Sequence, residues 1–323
     1  MKKRKLGNSG LETAPLIFGG NVFGWTADEA MSFKLLDAFV DAGLSFIDTA
    51  DVYSMWIPGN EGGESETVIG NWLKKSGKRD KVLITTKVGI DINVKQMPGK
   101  VNLKKKYILE EFEQSLKRLQ TDYVDLYQAH RDDENTPLDE TLEAFDQLVR
   151  DGKVRAIGAS NYGADRLAAA LKSSKDNGFA RYETLQPCYN LYDRSEFEGE
   201  LQDLCVQENI GVITYFSLGC GFLTGKYREA KDLENKPRAY RVKDMMNKRG
   251  FRILAALDQV ASDTGATPAQ ISLAWLMTRP SVTAPIASAT NLQQLQELIG
   301  AAQLQLSREA IDLLDQASAN DAA

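Results

Sequence analysis

Several things are scarce in this sequence. It has a single histidine in 323 residues and only three cysteines, Cys188, Cys205 and Cys220. The cysteines are odd in number, widely spaced and without metal-ligand spacing. This argues against a disulfide framework, predicts reduced thiols and gives no reason to expect a metal. Basic residues are outnumbered, 39 against 45, for a formal net charge of -6. Nucleic acid and anionic membranes both require basic surface, so neither is an expected partner. The cluster Lys104-Lys105-Lys106 reads as the solvated first turn of a helix. No apolar run approaches the roughly 20 residues that span a bilayer. The opening Met1-Lys2-Lys3-Arg4-Lys5 resembles the head of a secretory signal, but Gly7, Asn8, Ser9, Gly10 and Glu12 break any apolar stretch behind it. A cytoplasmic location is the expectation.

What is present is a repeating alternation. Short apolar runs at 15–18, 45–47, 82–86, 124–128, 154–159, 184–186, 211–215 and 282–286 are separated by amphipathic segments, among them 27–42, 66–75, 104–119, 138–150, 165–174 and 197–208. Leu109, Phe112, Leu116 and Leu119 fall at helical spacing. Gly43, Gly77, Gly152, Gly178 and the 209–211 turn are placed to end helices in left-handed backbone. Eight strand–helix units in series call for parallel strands with helical crossovers. Strands this apolar suit a sheet covered on both faces.

An open dinucleotide-binding sheet should carry G-x-G-x-x-G after its first strand, and Phe18-Gly19-Gly20-Asn21 lacks that spacing. The reading is therefore an α/β fold, a (β/α)8 TIM barrel. Residues 1–14, with a turn at Asn8-Ser9-Gly10, would form a β-hairpin capping its N-terminal end. Residues 306–317 add an extra C-terminal helix, and 216–248 form a long connection after the seventh strand. No linker or composition shift divides the chain, so 1–323 reads as one domain.

Active sites of such barrels gather at the C-terminal strand ends. Asp48 ends the second strand, Tyr53 follows it, Lys87 ends the third and His130 ends the fourth. Singly each has an ordinary explanation: a loop cap, a rim aromatic, a solvent-reaching lysine, a structural histidine. Jointly they suit one chemistry. A phenol near its reference pKa of about 10 is a poor proton donor or acceptor at neutrality, and a nearby ammonium lowers that value. A carboxylate such as Asp48 would hold the lysine charged away from bulk water. A histidine can orient a substrate oxygen. The set suits protonation of a carbonyl oxygen as hydride reaches its carbon.

Over essentially its whole length the chain resembles the aldo-keto reductases. The resemblance rests on Phe46-Ile47-Asp48-Thr49-Ala50-Asp51-Val52-Tyr53, Gly63-Glu64-Ser65-Glu66, Ile84-Thr85-Thr86-Lys87, the run from Asp122 to His130, and the run from Gly152 to Asn161. It implies a catalytic set of Tyr53, Asp48, Lys87 and His130, with Tyr53 as general acid/base. It implies NADP(H) as cofactor, with NAD(H) as the alternative, held without a glycine fingerprint. The implied cofactor contacts begin with Gly20, Asn21, Asp48, Ser160, Asn161 and Gln186, with Tyr215 stacking on the nicotinamide. They continue through Phe216, Ser217, Leu218, Gly219, Gly221, Lys226 and Arg238 around the pyrophosphate. Ile286, Ser288, Thr290, Gln294 and Glu297 would hold the adenosine end.

Trp25, Trp56 and His130 would contact a small carbonyl or sugar substrate, with Met55, Ile57 and Phe216 beside them. The chain departs from the family where Phe216-Ser217 replaces a common Ser-Pro. Ser288 replaces a glycine or lysine, Leu298 an asparagine, and Asn291 stands where a basic residue often supports the 2′-phosphate. A different class of reading is a cofactor-binding regulatory protein like the potassium-channel β subunits that resemble this family.

Overall fold

The computed structural model describes residues 1–91 and 100–320. Its strands are β1 (Arg4–Lys5), β2 (Glu12–Thr13), β3 (Ile17–Gly19), β4 (Phe46–Asp48), β5 (Leu83–Val88), β6 (Val124–Ala129), β7 (Val154–Ser160), β8 (Tyr182–Gln186), β9 (Gly211–Thr214) and β10 (Val282–Ala287). The helices are α1 (Glu29–Asp41), α2 (Glu64–Ser76), α3 (Lys105–Leu119), α4 (Leu138–Arg150), α5 (Ala164–Asn177), α6 (Glu200–Gln207), α7 (Ala239–Met245), α8 (Lys248–Thr264), α9 (Pro268–Thr278), α10 (Leu292–Ala301) and α11 (Arg308–Ser318). Strands β3 to β10 close into a parallel barrel, with β10 pairing both β3 and β9. This is the expected (β/α)8 fold. Parallel strands need long crossovers, and the amphipathic helices supply them while covering the outer face of the sheet.

Period-2 alternation sorts the strand residues. Phe46, Leu126, Ala156, Ile213 and Ala284 point into the barrel and form a small apolar cluster. Ile47, Tyr127 and Ile157, one residue along, join the large core beneath the helices. The hairpin β1–β2 closes the N-terminal end, as expected. Leu6 and Leu11 complete the inner cluster, and Arg4 donates to the carbonyls of Met277, Val282 and Thr283 at 2.9, 3.2 and 3.3 Å. Gly7 has φ 59° and lies so close to the Glu183 carbonyl that a Cβ would meet it at 2.3 Å, which only glycine tolerates.

Gly43, Gly77, Gly152, Gly178 and Asn209 all take positive φ, as their helix-ending positions required. The connection after β9 is more structured than the sequence suggested. It holds 3₁₀ turns at Gly219–Thr224 and Ala230–Leu233, then α7. Beyond it α8 packs against α11, which is the anticipated extra helix.

Candidate active site

Moving up the inside of the barrel, apolar side chains give way to polar ones at the C-terminal strand ends. On β4 the inward series is Phe46, Asp48; on β5 it is Leu83, Thr85, Lys87; on β6 it is Leu126, Gln128. Register sets Asp48 beside Thr85 and Lys87 beside Gln128. Lys87 is fully buried, and its ammonium donates to Asp48 Oδ2 at 2.8 Å, the Thr49 carbonyl at 2.8 Å and the Tyr53 hydroxyl at 2.9 Å. Three acceptors match the three N–H bonds of an ammonium, so the buried charge is fully satisfied. The Tyr53 hydroxyl lies 3.3 Å from the same Asp48 carboxylate. Gln186 Nε2 donates to its other oxygen at 2.9 Å.

His130, whose N–H donates to Val88 O at 2.7 Å just past the end of β6, stands edge-on to Tyr53 with ring centroids 5.9 Å apart. Its Nδ1 is buried without a hydrogen-bond partner among the described residues. Burial, then the Lys87 ammonium, then Arg131 push its pKa well below the ordinary histidine range. At neutral pH the ring is therefore uncharged.

The Tyr53 phenol departs from expectation. Burial first, and the Asp48 carboxylate second, hold its pKa well above the ordinary value, with Arg238 opposing them. Lysine proximity does not produce a depressed pKa in the free protein, because Asp48 accompanies the lysine and the pocket is desolvated. The phenol is a protonated donor across the physiological range. Burial lowers the Lys87 pKa, and Asp48 opposes that effect.

A ledge of polar groups adjoins the cluster. Ser160 Oγ donates to Gln186 O at 2.8 Å. Asn161 Nδ2 donates to His130 O at 2.9 Å and to Ser160 Oγ at 3.1 Å. The Tyr215 hydroxyl donates to Asn161 Oδ1 at 2.7 Å. Asn161 and Phe216 are non-glycine residues with φ of 57° and 51°. Such conformations persist where surrounding structure imposes them, often at functional sites.

Two supporting networks were not anticipated from sequence. Beneath Lys87, Gln128 Nε2 donates to Thr85 Oγ1 at 3.1 Å, and Thr184 Oγ1 donates to Gln128 Oε1 at 3.3 Å. Gly158 makes room for this layer, since a Cβ there would meet Thr184 Oγ1 at 2.0 Å. Inward alternation on β5, β6 and β8 was the signal that could have revealed it. The second network explains the Gly63–Glu66 motif. Ser65 Oγ donates to Gly20 O at 2.8 Å and accepts from Thr49 at 2.7 Å. Glu66, fully buried, accepts from Thr86 at 2.5 Å and from Arg118 at 2.6 Å.

Comparison with known proteins places this geometry. Residues 15–319 match the Aldo/keto reductase family. The chain is 34% identical over 321 residues to a Bacillus subtilis (strain 168) protein named "Uncharacterized oxidoreductase YrpG", covering 98% of this chain and 95% of that one. It is 32% identical over 307 residues to "Aldo-keto reductase YhdN" of the same strain, covering 92% and 88%. It is 31% identical over 304 residues to "Probable voltage-gated potassium channel subunit beta" of Arabidopsis thaliana, covering 92% and 90%. The chain belongs to the aldo/keto reductase family.

Aldo/keto reductases use nicotinamide cofactors, and the residues around this mouth fit such a group. Tyr215 presents a flat ring beside the Ser160–Asn161–Gln186 ledge. Gly219, Gly221 and Gly225 take φ of 54°, 97° and 77°, and the Lys226 side chain lies against Gly221. A glycine-lined turn with a lysine above it is a cradle for anionic oxygens. At the other side of the mouth Ser288 Oγ donates to Asn21 Oδ1 at 2.7 Å, and Gly19 has no room for a Cβ beside it. Thr290 N and Oγ1 both donate to Gln294 Oε1, at 2.8 and 3.0 Å, and Asn291 caps the N–H of Gln294 at 2.9 Å. Ile286 is the penultimate residue of β10, and Glu297 lies one turn beyond Gln294 along α10.

The aldo/keto reductase mouth is walled by aromatics. Trp25 and Trp56 meet edge-on at 5.5 Å, and Trp56 lies 6.2 Å from Tyr53. Arg238 lies over the Trp25 ring at 5.2 Å. A groove of about 470 Å³ at the opposite end of the barrel is lined by Arg4, Cys205 and Met277. It is remote from these groups, and Arg4 there is already bound to three carbonyls. Among the described residues no helix is long and apolar enough to cross a membrane.

Proposed function

We propose that this chain is a carbonyl reductase that moves hydride between NADP(H) and the carbonyl or alcohol carbon of an aldehyde or ketone, with Tyr53 as general acid/base. The observation that carries the reading is the Lys87 ammonium bonded at once to Asp48 and to the Tyr53 hydroxyl at the C-terminal mouth of the barrel. The cofactor supplies or accepts the hydride. Tyr53, protonated in the resting site, gives its proton to the carbonyl oxygen as that oxygen gains charge. The phenolate left behind accepts the Lys87 N–H already 2.9 Å away, so its stabilisation requires no rearrangement. Neutral His130 holds the carbonyl oxygen against Tyr53, and Trp25 and Trp56 exclude water. Solvent returns the proton at the end of the cycle, and oxidation runs the same steps backward.

Tyr215 and the Ser160–Asn161–Gln186 ledge would hold the nicotinamide. The 216–221 turn, Lys226 and Arg238 would take the pyrophosphate, and Gly20, Asn21 and residues 286–297 would flank the remainder. The three free thiols suit a cytoplasmic enzyme.

A second reading is favoured by the relative named as a potassium-channel β subunit: a cofactor-bound regulatory partner with little turnover. Mixing the protein with NADPH or NADH and a panel of aldehydes separates the two. Loss of reduced-nicotinamide absorbance supports the reductase; tight cofactor binding with no oxidation of any carbonyl supports the regulatory partner.

A further inference from the structure

The arginines of this chain divide sharply. Arg79, Arg118, Arg150, Arg155, Arg166, Arg181, Arg194, Arg228, Arg279 and Arg308 are each ion-paired with a carboxylate. Arg4, Arg249 and Arg252 donate to backbone carbonyls. The exceptions are Arg131, Arg238 and Arg241, which have neither kind of partner among the described residues. All three surround the mouth of the barrel. Arg131 and Arg241 are exposed and Arg238 is half-buried, so the opening carries positive charge that no carboxylate neutralises and that favours an incoming anion.

Arg238 lies over Trp25, beside the turn that suits the pyrophosphate, and the proposed cofactor accounts for it. Arg131 lies in the loop after β6, and Arg241 lies beside the first residue of that turn. Arg131 directly follows His130, whose carbonyl is bonded to Asn161, which in turn accepts from Tyr215. Arg241, in the first turn of α7, lies over the Phe216 ring at 4.8 Å, and that ring is 5.0 Å from Tyr215. Its one side-chain hydrogen bond is to the Tyr240 hydroxyl at 3.3 Å. The two guanidiniums thus approach the Tyr215–Asn161–His130 chain from different elements, the loop after β6 and the strap after β9. Burial first, then Cys188 and Glu196, raise the Tyr215 pKa, and Arg241 and Arg131 oppose them from either side.

We infer that the substrates are carbonyl compounds carrying a carboxylate, held by Arg131 and Arg241 while the carbonyl end reaches Tyr53 and His130. The inference rests on the reductase reading for the position of the carbonyl, but not for the anion site. An arginine stacked on an aromatic ring is oriented at little entropic cost and presents a planar fork to a carboxylate. The walls of Trp25 and Trp56 accept a flat body between the two ends.

Two measurements on the holoenzyme test this, with Arg131→Gln, Arg241→Gln and the conservative Arg241→Lys. The first compares kcat/KM for 4-carboxybenzaldehyde and its uncharged methyl ester. The second follows tryptophan fluorescence on titration with benzoate and with benzamide. The wild type should favour the acid over the ester and benzoate over benzamide. Each glutamine variant should lower both preferences about tenfold, mainly through KM, as expected for one partly solvated charge-assisted bond. Arg241→Lys should recover part of the loss.

Preferences that are absent in the wild type, or unchanged in both glutamine variants, overturn the inference. So does a loss of NADPH affinity in place of benzoate affinity, which would assign both arginines to the cofactor. If neither aldehyde is turned over, the reductase reading fails, while the benzoate titration still decides the arginines.

Discussion

The Lys87 ammonium donates to the Tyr53 hydroxyl at 2.9 Å from a position with no solvent exposure. A lysine there is tolerable only because Asp48 and the Thr49 carbonyl accept hydrogen bonds from its other two N–H groups. Removing it should do two separable things. Lys87→Met should lower kcat by about 100-fold or more through loss of the group that receives the phenolate. It should also destabilise the fold by about 3–5 kcal/mol, because Asp48 is left buried and unpaired. Urea unfolding of Lys87→Met beside Asp48→Asn/Lys87→Met separates these effects. The double variant should recover stability and remain inactive.

The pH dependence of stability has two arms with opposite signs. The folded-state pKa of His130 is depressed, so its contribution is present above about pH 6.5 and is lost as pH falls toward the folded value. The pKa values of Tyr53, Tyr127 and Tyr182 are raised. Their contribution is present below about pH 10 and is lost as pH climbs through the folded values. His130→Asn should flatten the acid arm alone, measured as unfolding free energy across the pH range.

Asp51 is fully buried, and neither carboxyl oxygen has a hydrogen-bond partner among the described residues. Burial, then Glu66 and Glu111, raise its pKa well above normal, against Arg118. A raised carboxyl pKa gives stability below about pH 4 that declines as pH rises toward the folded value. Asp51→Asn should therefore gain stability relative to the wild type as pH increases from about 4 to 7. A constant difference over that range contradicts the assignment.

Gly158 faces Thr184 at a separation that excludes a Cβ. Gly158→Ala should cost about 2–4 kcal/mol by forcing the strands or the Gln128 layer apart. Gly158→Ala/Thr184→Gly should recover much of the loss in thermal melts.

Much of the fold was legible because its physics is local and repetitive. Strands apolar on both faces, crossovers with one apolar stripe and helix-ending glycines all point to a covered parallel sheet. The missing phosphate fingerprint after β3 favoured the barrel. The four polar side chains of the site were legible because each sits at or just past a strand end, where a barrel must bring them together. Helix α9 was not, since Ala269, Ile271, Leu273, Trp275 and Leu276 are buried on several sides and leave no amphipathic stripe to read. The direction of the Tyr53 pKa was also hidden, because it depends on the balance of burial and Asp48 against positive charge. The division of the arginines was hidden for a related reason: whether a guanidinium finds a carboxylate is decided by tertiary packing.

The central claim is that Tyr53 transfers the proton. Tyr53→Phe removes one oxygen from the Lys87 cluster and leaves the ring. Single-turnover oxidation of bound NADPH by an aldehyde, measured beside the cofactor dissociation constant, tests it most directly. The account predicts a fall in rate of about 100-fold or more with cofactor affinity unchanged. A variant that turns over at the wild-type rate would contradict it.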